Sequence, residues 1–158
     1  MIIIETRLLA WTAILVAMVF GICGCVKSSD GFVTKLERSA LAVVGSAEPT
    51  VTVSAATDFQ WDKLYVFGPY TPVEKIHAQL GYHWSEAGKT AIQASDTFYL
   101  LVFMKNGQVI SHYKFPRTIG DFHNLEAKNG FSPGDDAFEI KTATAGETKR
   151  LILVPKKN

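Results

Sequence analysis

The chain has two thiols, Cys23 and Cys25, and both lie at the end of a long apolar run that covers residues 8–22. A thiol becomes a nucleophile when it ionises, so either cysteine is a candidate for covalent modification. Gly24 places a small residue directly before Cys25, whereas the bulky Ile22 precedes Cys23.

Residues 1–24 have the three parts of an export signal. A short segment with Glu5 and Arg7 comes first, the apolar run follows, and small residues end it. The apolar run is shorter than the roughly 20 residues that a helix needs to cross the bilayer core. The alternative is a permanent N-terminal anchor helix, with both cysteines as ordinary thiols beside the membrane.

The stretch Ile22-Cys23-Gly24-Cys25 resembles the lipobox of bacterial lipoproteins. The resemblance implies that residues 1–24 are a signal peptide that is removed. It implies that Cys25 receives the lipid as a thioether, and that Cys23 is disfavoured as the acceptor because Ile22 is large.

The resemblance also implies where the mature protein works. Such lipoproteins carry three acyl chains, and two or more chains give stable anchoring to a membrane. Residues 25–31 would then be the acylated tether. In the same class, an Asp after the acylated cysteine retains the product at the inner membrane. Val26 stands at that position here, which favours the outer membrane, facing the periplasm.

Composition limits the remaining function classes. Removing 24 of the 158 residues leaves 134, which predicts one globular domain over residues 32–158. The formal net charge of +1 argues against a nucleic acid partner, which usually requires a strongly basic face. Acylation of Cys25 would leave no thiol for disulfides or zinc–thiolate sites, and we expect no cofactor apart from the covalent lipid.

The four histidines His77, His83, His112 and His123 do not match a metalloprotease motif. That motif needs two histidines four residues apart on one helix with a Glu between them. A site could still be assembled in space, if at least two of the five residues formed by these histidines and Asp121 converge in one pocket. The simpler interpretation is that each histidine is a surface or partly buried polar residue.

The acidic residues and serines do not match a metal-binding or catalytic motif either. Asp121, Asp135 and Asp136 lack the alternating oxygen ligands of a calcium loop. Ser132-Pro133-Gly134 is typical of a turn, and the chain has no Gly-x-Ser-x-Gly elbow. We therefore predict no metal site and no catalytic residue.

Aromatic residues outside the predicted strands are the candidate binding surface, because aromatic side chains are frequent anchors in protein interfaces. Tyr70, Tyr82 and Trp84 flank the two ends of a predicted helix. Phe122, His123 and Phe131 lie in a long segment, 116–136, without clear periodicity. The alternative is that most of these aromatic side chains belong to the core.

Hydrophobic periodicity and turn residues predict the elements that position these residues. In order they are a helix over 32–44, strands over 50–53 and 61–67, a helix over 72–80, and strands over 97–104, 108–115, 137–142 and 148–154.

Three local patterns support these elements. Thr71, Pro72 and Glu74 predict an N-cap, a first helical residue and a capping box. Asn106-Gly107 between two apolar runs predicts a hairpin. The return strand should then place Val109, Tyr113 and Phe115 on one face.

The element order predicts an α+β fold, with a mostly antiparallel sheet of about five strands packed on one or two short helices. The function we expect is a non-catalytic protein-binding module on a lipid anchor. It would be an immunity or inhibitor protein against an envelope toxin, or an accessory of envelope assembly. Two alternatives are an envelope hydrolase or metal-dependent enzyme with a His/Asp site, and a carrier of a small ligand or lipid.

A second resemblance bears on the assembly role. Small lipoproteins of the outer-membrane assembly complex also combine a helix ending in Leu-Gly with a sheet. The likeness covers residues 73–81 and one hairpin, and the order of elements differs.

Overall fold

A computed structural model describes residues 30–125, 129–145 and 148–156. Cys25 and the predicted signal peptide lie outside these residues. The described residues form two helices and seven strands: α1 (Asp30–Val43), β1 (Thr50–Thr52), β2 (Lys63–Phe67), α2 (Val73–Leu80), β3 (Phe98–Lys105), β4 (Gln108–Pro116), β5 (Gly120–Phe122), β6 (Ala137–Ala145) and β7 (Thr148–Pro155).

The strands form two sheets, with the orders β1-β6-β7-β5 and β2-β3-β4. Every pairing is antiparallel except that of β5 with β7, which is parallel. The predicted α+β class with mostly antiparallel strands is confirmed. The strands divide between two sheets because β3 has two partners of its own, β2 and β4, while β6 and β7 pair with each other.

The three-stranded sheet is the middle layer of the molecule, and its central strand β3 is buried on both faces. Alternate side chains of β3 enter two different hydrophobic clusters. Leu101 and Phe103 lie in a cluster with α1 and the four-stranded sheet, which we call the α1 cluster. Leu100 and Val102 lie in a second cluster with α2 and the connector that follows it, which we call the α2 cluster. The continuous apolar run of the sequence therefore reflects burial on two sides.

Helix α1 covers one side of this middle layer. Its buried residues Phe32, Leu36 and Ala40 recur at helical spacing and join the first cluster. Asp30, the first described residue, is already helical, so α1 includes residues that were predicted to belong to the tether.

The hairpin between β3 and β4 turns at Asn106 and Gly107, which both have positive φ values, of 51° and 75°. This pair suits the tight turn that the right-handed twist of the strands requires. A register shift follows, because Met104 pairs with Val109 while Phe103 pairs with Ser111.

The shift changes which face Val109 occupies. Val109 packs against the α2 cluster, while Tyr113 and Phe115 belong to the α1 cluster. The prediction that these three side chains share one face is therefore wrong. The extra residue of the bulge, Ile110, reverses the alternation of the strand.

Helix α2 starts one residue later than predicted. Pro72 is the N-cap with extended backbone, and no side chain of the described residues caps this helix. The Thr71 hydroxyl instead donates a hydrogen bond of 2.7 Å to the Gly68 carbonyl, which closes the preceding turn. The predicted capping box is thus absent. The predicted stop at Gly81 is confirmed, since it has a φ of 80°.

Segment 116–136 is partly built into the sheets, although the sequence shows no periodicity there. Strand β5 pairs in parallel with β7, and a Cβ at Gly120 would lie 2.7 Å from the Leu151 carbonyl oxygen. Further on, Phe131 exchanges two backbone hydrogen bonds of 2.8 Å with Leu64 at the edge of β2. Both contacts involve distant strands, so a local pattern could not predict them.

Phe103 should be the most sensitive core position, since its ring lies 5.2–5.4 Å from the rings of Phe32, Phe59 and Trp61. We expect Phe103→Ala to lower the free energy of unfolding by about 3–5 kcal/mol, because it leaves a cavity in a fully buried site. Urea unfolding followed by tryptophan fluorescence measures this. Ile110→Ala, at an exposed apolar residue, is the control and should change stability by less than about 0.5 kcal/mol.

Candidate binding surface

Tyr70 is the most exposed aromatic residue of the candidate set, with 60% of its surface accessible. It lies in the turn between β2 and α2. Its backbone N–H donates to the carbonyl oxygens of Ile92 at 3.0 Å and Ser95 at 3.2 Å. These bonds hold the turn against the connector that follows α2, so the tyrosine ring projects from a fixed backbone.

The backbone of Tyr70 has a left-handed conformation, with a φ of 59°. For a residue with a side chain this conformation costs about 1–2 kcal/mol. Ala91 has a φ of 62° and immediately precedes Ile92, the acceptor of the Tyr70 N–H. Two strained residues therefore meet at one contact between loops. Strain of this kind is concentrated at functional sites, where surrounding structure enforces it.

The C-terminal end of α2 forms the neighbouring part of the surface. The Tyr82 side chain is half-buried, and its hydroxyl accepts a hydrogen bond of 2.9 Å from the Val109 N–H. Tyr82 therefore attaches the connector to β4 and presents only part of its ring. His83, the next residue, is exposed.

Three residues of the predicted surface are buried, so the prediction that they are exposed is wrong. Trp84, Phe122 and Phe131 retain 7%, 3% and 8% of their accessible surface. Trp84 fills the α2 cluster, and Phe122 and Phe131 fill the α1 cluster, where both contact the ring of Phe138. Isolated aromatic residues in a long segment gave no periodic signal of burial.

His123 is exposed at the end of β5, and its N–H donates to the Leu153 carbonyl at 2.9 Å. β5 and Phe122 belong to the cluster on the α1 side, whereas α2 lies on the opposite side of the middle sheet. The candidate surface therefore reduces to Tyr70, with Tyr82 and His83 beside it. His123 lies apart from this group.

Three histidines surround Trp84, which the sequence did not indicate. The rings of His77 and His83 are 4.3 Å apart, and the ring of His112 lies 5.1 Å from that of Trp84. His77 Nε2 is 3.1 Å from the Trp84 carbonyl oxygen. A carbonyl only accepts, so this nitrogen carries the proton and its lone pair is not available to a ligand.

The environment of His112 changes its protonation equilibrium. Desolvation against the neighbouring packing lowers the pKa of the His112 ring, and Glu86 acts in the opposite direction while Lys114 reinforces the shift. Because His112 is exposed, burial disfavours its charged form only in part.

The carboxylates considered for calcium have protein partners. Asp121 accepts a hydrogen bond of 2.5 Å from Arg117 Nε, and Arg150 lies 4.0 Å from its other oxygen. Asp136 is fully buried and accepts from the N–H groups of Ser54 at 2.5 Å and Gly134 at 3.0 Å. In the part of the chain that the structure describes, no three His, Cys, Asp or Glu side chains form a group that could hold a metal ion.

The depressions of the described surface include three of about 440–560 Å³. One, of about 540 Å³, lies between residues 54–62 and Lys105. The other two, of about 560 and 440 Å³, adjoin each other along α1 and share Glu37 and Ile119 in their walls. We call these two together the α1 groove.

Comparisons with known protein families, with curated proteins and with solved structures found no match to this chain. The helices of the described residues are too short or too polar to span a bilayer.

Relief of the backbone strain should raise stability. We expect Tyr70→Gly and Ala91→Gly each to increase the free energy of unfolding by about 0.5–1 kcal/mol, because glycine removes the strain but adds entropy to the unfolded chain. Urea unfolding measures the change. The control is Ala78→Gly on the exposed side of α2, where glycine should lower stability by about 0.5–1 kcal/mol. Destabilisation by both test variants would contradict the assignment of strain.

Protonation of His112 should destabilise the fold. Its pKa is lower in the fold than the ordinary value of 6.5, so the unfolded chain binds the proton more readily. The free energy of unfolding is therefore unaffected by this ring above pH 6.5, where it is neutral in both states. It decreases as the pH falls below that value, because the unfolded chain takes up the proton first. We expect His112→Gln to flatten this part of the stability profile, measured by urea unfolding between about pH 7 and 5. An identical profile in the variant would contradict the prediction.

Proposed function

We propose that this protein is a lipoprotein of the bacterial cell envelope that binds a protein partner through the surface around Tyr70 and has no catalytic role. Its lipid would be attached at Cys25, and its place would be the outer membrane, facing the periplasm. The observation that carries the binding role is Tyr70 itself. It is an exposed aromatic side chain whose strained backbone is held by two hydrogen bonds.

A rigid exposed tyrosine suits binding for two reasons. Its ring supplies a large contact area, and a fixed backbone reduces the entropy lost when the complex forms. The strain lowers the stability of the free protein, so a residue such as glycine would serve the fold better at this position. A contact with a partner accounts for the tyrosine.

The class of partner follows from the proposed location in the cell envelope. An envelope toxin, neutralised by an immunity or inhibitor protein, is one candidate. A component of an envelope assembly machine is the other. Both are proteins, and both would meet a lipid-anchored domain at the membrane surface.

A metal-dependent or hydrolytic enzyme is a second candidate, favoured by the contact between His77 and His83. Their rings are 4.3 Å apart, which satisfies the convergence that such a site requires. The proton on His77 Nε2 is committed to the Trp84 carbonyl, however, which leaves a single nitrogen of that ring for chemistry. The binding role therefore has the stronger support.

The binding role can be tested by affinity capture from detergent-solubilised envelopes with the full-length protein. We expect Tyr70→Ala to weaken capture of the specific partner by about 30-fold, the effect of losing an interface residue worth about 2 kcal/mol. Ile110→Ala is the matched control, since Ile110 is also an exposed apolar residue, at 45%. A co-encoded toxin or a barrel-assembly component among the captured proteins distinguishes the two partner classes.

The anchor is tested separately in the same strains. Labelling with a radioactive fatty acid should mark the wild-type protein and not Cys25→Ala, and the mass of the mature N-terminus should show loss of residues 1–24. Equal capture by wild type and Tyr70→Ala would refute the binding surface. A chain that keeps its leader or stays unlabelled would refute the anchor.

A further inference from the structure

Helix α1 follows the proposed lipid site at a short distance along the chain. Its first described residue, Asp30, comes five residues after Cys25. Five residues span at most about 17–18 Å even when fully extended. The helix itself has 14 residues and is therefore about 21 Å long. A lipid on Cys25 would hold every part of α1 within a few nanometres of the bilayer.

The exposed face of α1 carries two cations and an aliphatic side chain. Lys35, Arg38 and Leu41 follow each other at intervals of three residues, which places them along one side of the helix. All three are exposed, and Leu41 has 55% of its surface accessible. Lysine and arginine beside an apolar residue are the side chains with which helices bind a lipid surface.

The α1 groove continues the apolar part of this face. Its wall on the helix includes Leu41 and Val44, with the half-buried Glu37 between the two depressions, and Ile119 and Leu151 form part of the opposite wall. A surface that offers apolar side chains within a groove can accept the acyl part of a lipid. The neighbouring cations complement anionic lipid headgroups.

The position of α1 in the fold also separates it from the candidate binding surface. Helix α1 packs on one face of the middle sheet, while α2 and its connector pack on the other. Tyr70 is bonded to that connector through Ile92. The side of the molecule with α1 and the side with Tyr70 are therefore opposite.

We propose that the face of α1 formed by Lys35, Arg38 and Leu41, together with the α1 groove, rests on the membrane lipid surface and turns Tyr70 away from it. The inference rests on the proposed lipidation of Cys25. A short tether keeps the local concentration of the domain at the membrane high, so a weak contact is enough to orient it.

The test uses the full-length lipoprotein with Leu41→Cys. Cys25 is the acylated residue and Cys23 leaves with the leader, so the new thiol would be the single labelling site. The thiol receives an environment-sensitive fluorophore, and the protein is placed in vesicles of phosphatidylethanolamine and phosphatidylglycerol. We expect lipids with brominated acyl chains to quench this label.

Two further variants control the measurement. Ala42→Cys, at the next exposed residue of α1, should be quenched as well and guards against a local effect at position 41. His83→Cys is equally tethered and lies beside Tyr70 on the opposite side of the middle sheet, so its label should keep its fluorescence. Lys35→Gln combined with Arg38→Gln should reduce the quenching at position 41, and removal of phosphatidylglycerol should have the same effect.

The outcomes separate this inference from the proposed function. An acylated protein whose labels at positions 41 and 83 are quenched equally, or whose label at position 41 is not quenched, overturns the orientation and leaves the anchor intact. A mass without acyl chains on Cys25 overturns both proposals.

Discussion

The burial of β3 on both faces is the constraint on which the rest of the structure depends. A strand with one apolar face needs one covering layer, whereas β3 needs two. The first layer combines α1 with the four-stranded sheet, and the second combines α2 with the connector after it. The position of each candidate functional residue follows from the layer to which it belongs.

The local elements were predictable because their signals are local. The apolar run of β3, the Asn106-Gly107 turn and the glycine at the end of α2 each determine backbone conformation within a few residues. The bulge at Ile110 was not predictable, since the register of β4 depends on packing against two clusters at once. The predicted capping box of α2 was wrong for a similar reason, because the Thr71 hydroxyl donates its hydrogen bond to a backbone carbonyl in the preceding turn.

The candidate surface was only partly predictable. Exposure of Tyr70 agreed with its place in a connector, but the same argument failed for Trp84, Phe122 and Phe131. A connector residue is buried when a distant element supplies the apolar neighbours, and sequence spacing does not report such neighbours. The contact between His77 and His83, which are six residues apart across the end of α2, could not be predicted from the sequence for the same reason.

Tyr70 connects the fold to the proposed function. The two hydrogen bonds from its N–H need the connector at Ile92 and Ser95, and the connector needs the α2 face of the middle sheet. The proposed membrane contact uses the opposite side, through α1. The middle sheet thus separates the two proposed interaction surfaces while linking them rigidly.

The order of strands in the four-stranded sheet has a consequence for synthesis. Its edge strand β1 pairs with β6, where Thr50 lies opposite Glu139, and both β5 and β6 need the last strand, β7. The loop closure entropy of such distant pairs must be overcome before their contacts form. The sheet therefore cannot be completed until β7 has been synthesised. Until then β5 has no partner strand in it, and β6 can pair only with β1.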